Sequence, residues 1–420
     1  MIAVMEKKEI KNNSLTKREK QREYIEHITK TDSSIQCHHT PYLLCDEMLN
    51  ELNETMLLYN EENGEKTLQD SEILVLFNLE FIWTLINRYG VNPNNITLLS
   101  DSKTRIRIAD LYNVNTEYKE KISLIESVKT GEYIMEKQFD VVVGNPPYQA
   151  PKIRNTEATN GVCGGKLWDK FMKFSIEKLC KDGGRVVLVH PEQWKKPEHN
   201  LLDIVKENDL ESMKSYSIQD GKEIFKADTG CGYYVIRKGE YSGSTFYTDM
   251  QGKTSIIDIS KLAFVPQCEL ALMETIVAKN DEEKCEVMYS RRAYGTDKEW
   301  MSKIETTEFK YPCIYSNTAK NGVEYWYSKV KDKKHFGVPK VIFHWMGATI
   351  DAVVDEKGEY GMCQFCFGIK IDSKEEGEKI KEALKSEKFK KVWKAIEWSS
   401  GIQEWRVFKY FRRDWYKEFI

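Results

Sequence analysis

Through the first 240 positions, apolar residues come in short blocks set between polar turns, and the period of the blocks alternates between strand and helix. ILVLFNLEF (Ile73 to Phe81) is a continuous apolar run that predicts a buried strand. FIWTLINRYG behind it has helical spacing and closes at Gly90. ITLLSD (Ile96 to Asp101) predicts a second strand ending in an acid, followed by a helical stretch around Arg105 to Tyr112. KISLIES (Lys121 to Ser127) reads as a third short strand and FDVVVG (Phe139 to Gly144) as a fourth. WDKFMKFSIEKLCKDGGRVVLVHPEQW then gives a helix, a Gly-Gly turn and a fifth strand from Arg185 to His190, with MKSYSIQ and GCGYYVIRKG as closing strands. Upstream, HHTPYLLCDEMLNEL puts Thr40 and Pro41 at a helix start, with Leu44, Met48 and Leu52 on one face. Strands alternating with helices at this spacing predict an α/β fold, a doubly wound and mostly parallel sheet.

The pattern fades near residue 240. Beyond it lie short strands, aromatic clusters and a charged helix from Ser373 to Trp398, so a second domain of α+β type is expected over 241–420. GVPKVIFHWMG (Gly337 to Gly347) and the stretch ending GMCQFCFGIK read as paired strands within it. Residues 1–36 are rich in lysine and glutamate and read as a charged extension without chemistry, leaving 37–240 as the first domain.

Composition narrows the picture modestly. With 41% hydrophobic and 31% charged residues the chain is an ordinary globular protein, and its net charge of −3 leaves a nucleic-acid site only as a local patch. Of the ten cysteines only Cys363 and Cys366 form a CxxC pair, without a second pair, so no metal is expected. MIAVMEKKEIKNN lacks a signal-peptide core and no run is long enough to span a membrane, so the expected compartment is the cytoplasm.

The chemistry concentrates in DVVVGNPPYQ (Asp140 to Gln149). Two prolines cannot donate to a sheet, so the strand must end there, at the edge where open α/β sheets bind ligands. Asn145 supplies a side-chain carbonyl, Pro146 a backbone carbonyl in a fixed direction, Pro147 further rigidity and Tyr148 a stacking face. Such prepositioned acceptors suit methylation of an exocyclic amine. They hold its N–H bonds and localise a lone pair otherwise spread into the ring. A base inside a duplex must be flipped out to reach them.

On this motif the sequence resembles the amino-group methyltransferases that use S-adenosylmethionine, and among them the adenine-N6 DNA methyltransferases of restriction-modification systems. The resemblance implies a Rossmann-like methyltransferase sheet with a carboxyl-terminal recognition domain. It also implies direct methyl transfer to a flipped adenine, with Asn145, Pro146, Pro147 and Tyr148 catalytic. Thr40 and Pro41 then lie toward the methionine end of the cofactor, Asp101 against its ribose, and Glu126 or Ser127 near its adenine. One departure stands out, because the family's glycine-rich turn after the first strand is replaced by LFNLEFIW. There Asn78 and Glu80 offer cofactor contacts, while Leu79 and Phe81 bring bulk. Double-stranded DNA is the implied partner, and a separate restriction nuclease is left open.

The carboxyl terminus bears on that partner. Residues 388–420 hold nine Lys/Arg against four acids, with aromatics interleaved, a pattern that suits phosphate contact with stacking or an aromatic core with a charged rim. The candidate nucleic-acid contacts are Lys340, Trp345, Arg406, Lys409, Arg412 and Arg413. Asn-Pro-Pro-Tyr also occurs in methyltransferases of RNA and of protein glutamine, so these acceptors stay open, as does a catalytically inactive DNA-binding relative.

Overall fold

The computed structural model describes residues 16–31, 40–63, 66–132, 135, 137–150, 165–225, 230–318, 321–346 and 351–420. Its centre is a nine-stranded sheet. The strands are β1 (Ile73–Leu76), β2 (Ile96–Ser100), β3 (Asn115–Tyr118), β4 (Phe139–Gly144), β5 (Cys180–Pro191), β6 (Asp209–Tyr216), β7 (Cys231–Arg237), β8 (Thr245–Thr248) and β9 (Thr254–Ile257), in spatial order 3-2-1-4-5-7-6-8-9. β3, β2, β1, β4 and β5 are parallel, and β7 enters antiparallel between β5 and β6. The strand order reverses between β1 and β4, the topological switch point at whose carboxyl ends open α/β sheets bind ligands. β1 and the second half of β4 are wholly buried, as strands covered on both faces require.

Three expectations change. ILVLFNLEF is not one strand: β1 stops at Leu76 and a helix starts at Leu79 (Leu79–Asn87). β1 and the helix through Leu85 are buried on all sides, so burial gives no period that separates strand from helix, although the polar Asn78 stands at the switch. KISLIES is the first part of a helix, Lys121–Thr130, which buries Leu124, Ile125 and Val128 and ends at the left-handed Gly131. The third strand is instead NTEY, an edge strand with no apolar run to announce it. Finally, the sheet does not stop at 240. β8 pairs parallel with β6 and β9 antiparallel with β8, so the first layer continues to Ile257.

The amino-terminal segment joins this body too. The helix Lys17–Thr31 buries Ile25 and Thr29 against the core, and Arg22 lies over the Tyr42 ring at 4.3 Å. His39 lies outside the described residues.

The carboxyl-terminal half holds two four-stranded sheets. The predicted pairing is present, Lys340–His344 running antiparallel to Cys366–Lys370. The expected helix from Ser373 to Trp398 is two, Lys374–Lys385 and Glu387–Ala395, divided at Ser386, whose hydroxyl caps the second by accepting from Phe389 N at 3.1 Å. The aromatics of the tail are core: Trp398, Phe408, Phe411 and Trp415 are fully buried, with Phe408 in contact with Phe343, Phe367 and Phe389. Cys363 and Cys366 are buried in this half.

Candidate active site

Gly144 closes β4 opposite Leu76 of β1. A Cβ there would stand 2.7 Å from the Leu76 carbonyl oxygen, so only glycine lets the two strand ends approach this closely. The approach brings the two loops at the switch point together. Asn145 N donates to Asn78 Oδ1 at 3.0 Å. The hydroxyl of Thr40 accepts from both amides, from Asn78 Nδ2 at 3.3 Å and from Asn145 Nδ2 at 3.2 Å. Thr40, Asn78 and Asn145 are fully buried. Residues 105 positions apart thus form one polar cluster, in which Thr40 holds the Asn145 amide nitrogen.

Local backbone explains how Asn78 comes to face this cluster. It occupies the N-cap of Leu79–Asn87 without capping through its side chain. Phe77 before it takes a left-handed φ of 69°, and Asn78 N donates back to Leu76 O at 2.9 Å, a γ-turn. A non-glycine residue in this region is strained. Here the strain is held by burial of the ring against Phe171 and by Arg105, whose guanidinium donates to the Phe77 carbonyl at 2.9 Å. The sequence lacks a glycine-rich turn, yet the backbone makes a glycine-type turn at the expected place. Leu79 and Phe81, expected as obstructive bulk, belong to the buried core.

Thr40 precedes the helix Tyr42–Asn63, which Pro41 opens by accepting from Leu44 N and Cys45 N. Glu80 is buried in the first turn of its helix, and its charge adds to burial in raising the Tyr42 phenol and the Cys45 thiol. Asp101 follows β2 at the same sheet edge, beside the Ser102-capped helix Lys103–Leu111. Glu126, expected after a strand, lies instead on the exposed face of the helix Lys121–Thr130 and pairs with Lys129 at 3.1 Å.

The tetrad is closed to solvent, with Tyr148 only 7% exposed. Burial and the neighbouring Cys231 thiol push the Tyr148 phenol well above its usual range. Its carbonyl accepts from Leu167 N at 3.0 Å and from Trp168 N at 3.4 Å, which ties the backbone of Trp168 to the motif. The Trp168 ring lies tilted against His190 and stacked on His199, at centroid distances of 5.3 and 5.7 Å. Past β5, a buried network joins Glu192, Lys195, Ser215 and Tyr247, with Lys195 Nζ 2.5 Å from Glu192 and 2.6 Å from Ser215 Oγ. The sequence reading missed Arg105, Trp168 and this network. The Glu-x-x-Lys spacing of the ion pair was its one visible signal.

The nucleic-acid candidates fare unevenly. Lys340 is fully buried, donating to Asp355 at 2.6 Å and to the carbonyls of His335 and Val338, so it is an internal lock and not a phosphate contact. Trp345 is half-buried against Phe365. Arg412 is held by Glu418 at 2.6 Å, by Asp414 and by the Thr275 carbonyl. Arg413 is held by Asp372 at 2.8 Å and by Glu283 at 3.3 Å. Both fasten the chain end to its own domain, which is the aromatic core with a charged rim. Arg406 and Lys409 pair with Glu198 across the two halves of the chain, at 3.7 and 2.8 Å.

A doubly wound sheet with Asn-Pro-Pro-Tyr ending β4 defines a class I methyltransferase fold. The sequence profile described as Eco57I restriction-modification methylase matches residues 9–225, just over half of the chain, and the protein belongs to that family. Among solved structures, a nuclease-deletion mutant of the Type ISP restriction-modification enzyme LlaGI, in complex with a DNA substrate mimic, is similar at TM-score 0.51 and 8% identity, covering 93% of this chain and 55% of that one. The type IIG restriction endonuclease BpuSI gives 0.45 at 11% identity, covering 96% of this chain and 63% of that one. A type I methyltransferase subunit from Streptococcus thermophilus gives 0.39 at 14%, covering 58% and 55%. The chain therefore spans little more than half the length of these structures. A search of curated protein sequences finds no match. Among the described residues no helix is long and apolar enough to cross a membrane.

Proposed function

We propose that this chain transfers a methyl group from S-adenosylmethionine to the N6 amine of an adenine flipped out of double-stranded DNA. The observation that carries the reading is the buried Thr40–Asn78–Asn145 cluster, which fixes Asn145 beside a rigid Pro146 carbonyl at the sheet's switch point. Two oriented carbonyls accept the amine's N–H bonds and raise the lone pair's availability without reorganisation. Tyr148, beside Trp168, offers a surface on which the base stacks. Stacking of the flipped base on Tyr148 offsets part of the unpairing cost.

The residues at the edge fit the cofactor. A carboxylate ends β2, a glycine-type turn follows β1, and polar groups cluster between β1 and β4. Asp101 would hold the ribose hydroxyls and Thr40, Pro41, Asn78 and Glu80 the methionine and amino groups; when bound, the sulfonium supplies an electrophilic methyl. Asn145 and Pro146 orient the acceptor in line with it, and no side-chain nucleophile is needed. The carboxyl-terminal half serves as the target-recognition surface, and the cytoplasm is the proposed compartment.

Methylation-sensitive sequencing of DNA from cells expressing the chain tests the reading. Methylated adenines at one sequence context are expected. Unmodified DNA, together with methylated RNA or glutamine peptide, would transfer the assignment to those acceptors. Calorimetry without heat on adding S-adenosylmethionine would leave a DNA-binding relative.

A further inference from the structure

Among the described residues one cluster of cations is poorly matched by acids, and one of its members adjoins the tetrad. Lys166 pairs across a β-bridge with Gln149, next to Tyr148. Among the described residues its ammonium donates to the neutral amide of Gln193, at 3.2 Å. Lys196 follows the turn after β5, with its side chain 15% exposed. Arg406 arrives from the carboxyl-terminal half. Lys196 and Arg406 share one carboxylate, Glu404, at 3.7 and 2.7 Å, while Glu198 is engaged by Lys409 at 2.8 Å and only distantly by Arg406. Burial first, then the charges of Lys166 and Arg406, holds the Lys196 ammonium below its usual range against the pull of Glu404. Burial and the same two lysines lower His199, beside them, to about 4, with Asp169 the one acid opposing.

Like charges crowded beside a half-buried lysine are unfavourable in the isolated protein, and an anion placed among them relieves the repulsion. The anion must be one that arrives with the base. We propose that Lys166, Lys196 and Arg406 form a seat for the backbone phosphates flanking the flipped nucleotide, a site that rests on the methyltransferase reading above. The seat draws two cations from the first half of the chain and one from the second, so a phosphate in it bridges the halves while the base enters beside Tyr148. Phosphate contact fixes register and carries no sequence information. Sequence reading therefore falls to other surfaces.

The test compares wild type with Lys166→Gln/Lys196→Gln on a short duplex carrying the methylated context, across a range of salt. Each phosphate contact contributes about 0.9 to the slope of log affinity against log salt, so the double variant should lower the slope by about two. Binding of S-adenosylmethionine should be unchanged. An unchanged slope with cofactor binding intact overturns the seat while leaving the methyltransferase reading standing. Should wild type neither bind nor methylate the duplex, the failure lies with that reading instead. If the double variant does not fold, uncharged methylphosphonate linkages in the wild-type complex decide. Weakened binding confined to the linkages flanking the target adenine supports the seat, and no effect there overturns it.

Discussion

Replacing Thr40 by valine keeps the shape of the side chain and deletes one oxygen. That oxygen receives two amide donors, Asn78 Nδ2 at 3.3 Å and Asn145 Nδ2 at 3.2 Å, in a place with no exposure to solvent. Leaving a buried donor without its acceptor costs about 1–3 kcal/mol. Both bonds are at the long end of the normal range, so each donor takes the lower figure and the two together give roughly 2 kcal/mol. Denaturant titration should show that loss as a lower midpoint with an unchanged slope. The kinetic effect is the more specific one. With the bond to Thr40 gone, the Asn145 amide is held less firmly, and its oxygen is less well fixed on the amine. The rate of methyl transfer should fall by about ten- to a hundredfold, from 1.4 kcal/mol per factor of ten, with duplex affinity little altered. Thr40→Ser, which restores the hydroxyl, should recover most of the rate. A valine variant as stable and as fast as wild type would refute the claim that this cluster orients the catalytic amide.

Further perturbations test neighbouring parts of the account. Lys195→Met leaves Glu192 buried without its cation and should cost about 3–5 kcal/mol of unfolding free energy, while adding Glu192→Gln should restore much of it. His190 and His335 are buried, with burial the main cause lowering them to about 3 and about 4. The unfolded chain therefore takes up protons that the folded one refuses. Stability is complete above the unfolded pKa of about 6.5 and is lost as pH falls toward the folded values. Between pH 7.5 and 5.5 each should remove roughly 1 kcal/mol, read from denaturation midpoints, and His190→Gln should shrink the pH dependence. Tyr148→Ala should weaken capture of a mispaired adenine, whose unpairing is easy, more than it weakens general duplex binding. Equal losses in both assays would deny the ring a stacking role.

How much of this was legible in the sequence depends on how far each feature depends on local pattern. The end of β4 was readable because two prolines forbid a strand from continuing, whatever the surroundings. The end of β1 was not, since Phe77 adopts a glycine-type conformation that only tertiary packing against Phe171 and Arg105 sustains. The segment holding Leu124, Ile125 and Val128 is too short for its period to separate strand from helix, which misplaced Glu126. Thr40, Asn78 and Asn145 were each singled out, but their meeting at one hydroxyl depends on β1 and β4 being neighbours. The tail shows the opposite limit. Its basic-aromatic composition was correctly read as ambiguous, but whether Arg413 faces solvent or Glu283, 130 positions away, is a matter of fold and not of composition.

Nucleoside analysis by mass spectrometry, on duplex incubated with S-adenosylmethionine and either wild type or Asn145→Ala, addresses the core of the account. N6-methyladenine from wild type, and none from a variant that still binds both cofactor and duplex, is the predicted result. Methylation of another nucleoside, or undiminished N6-methyladenine from the variant, would contradict it.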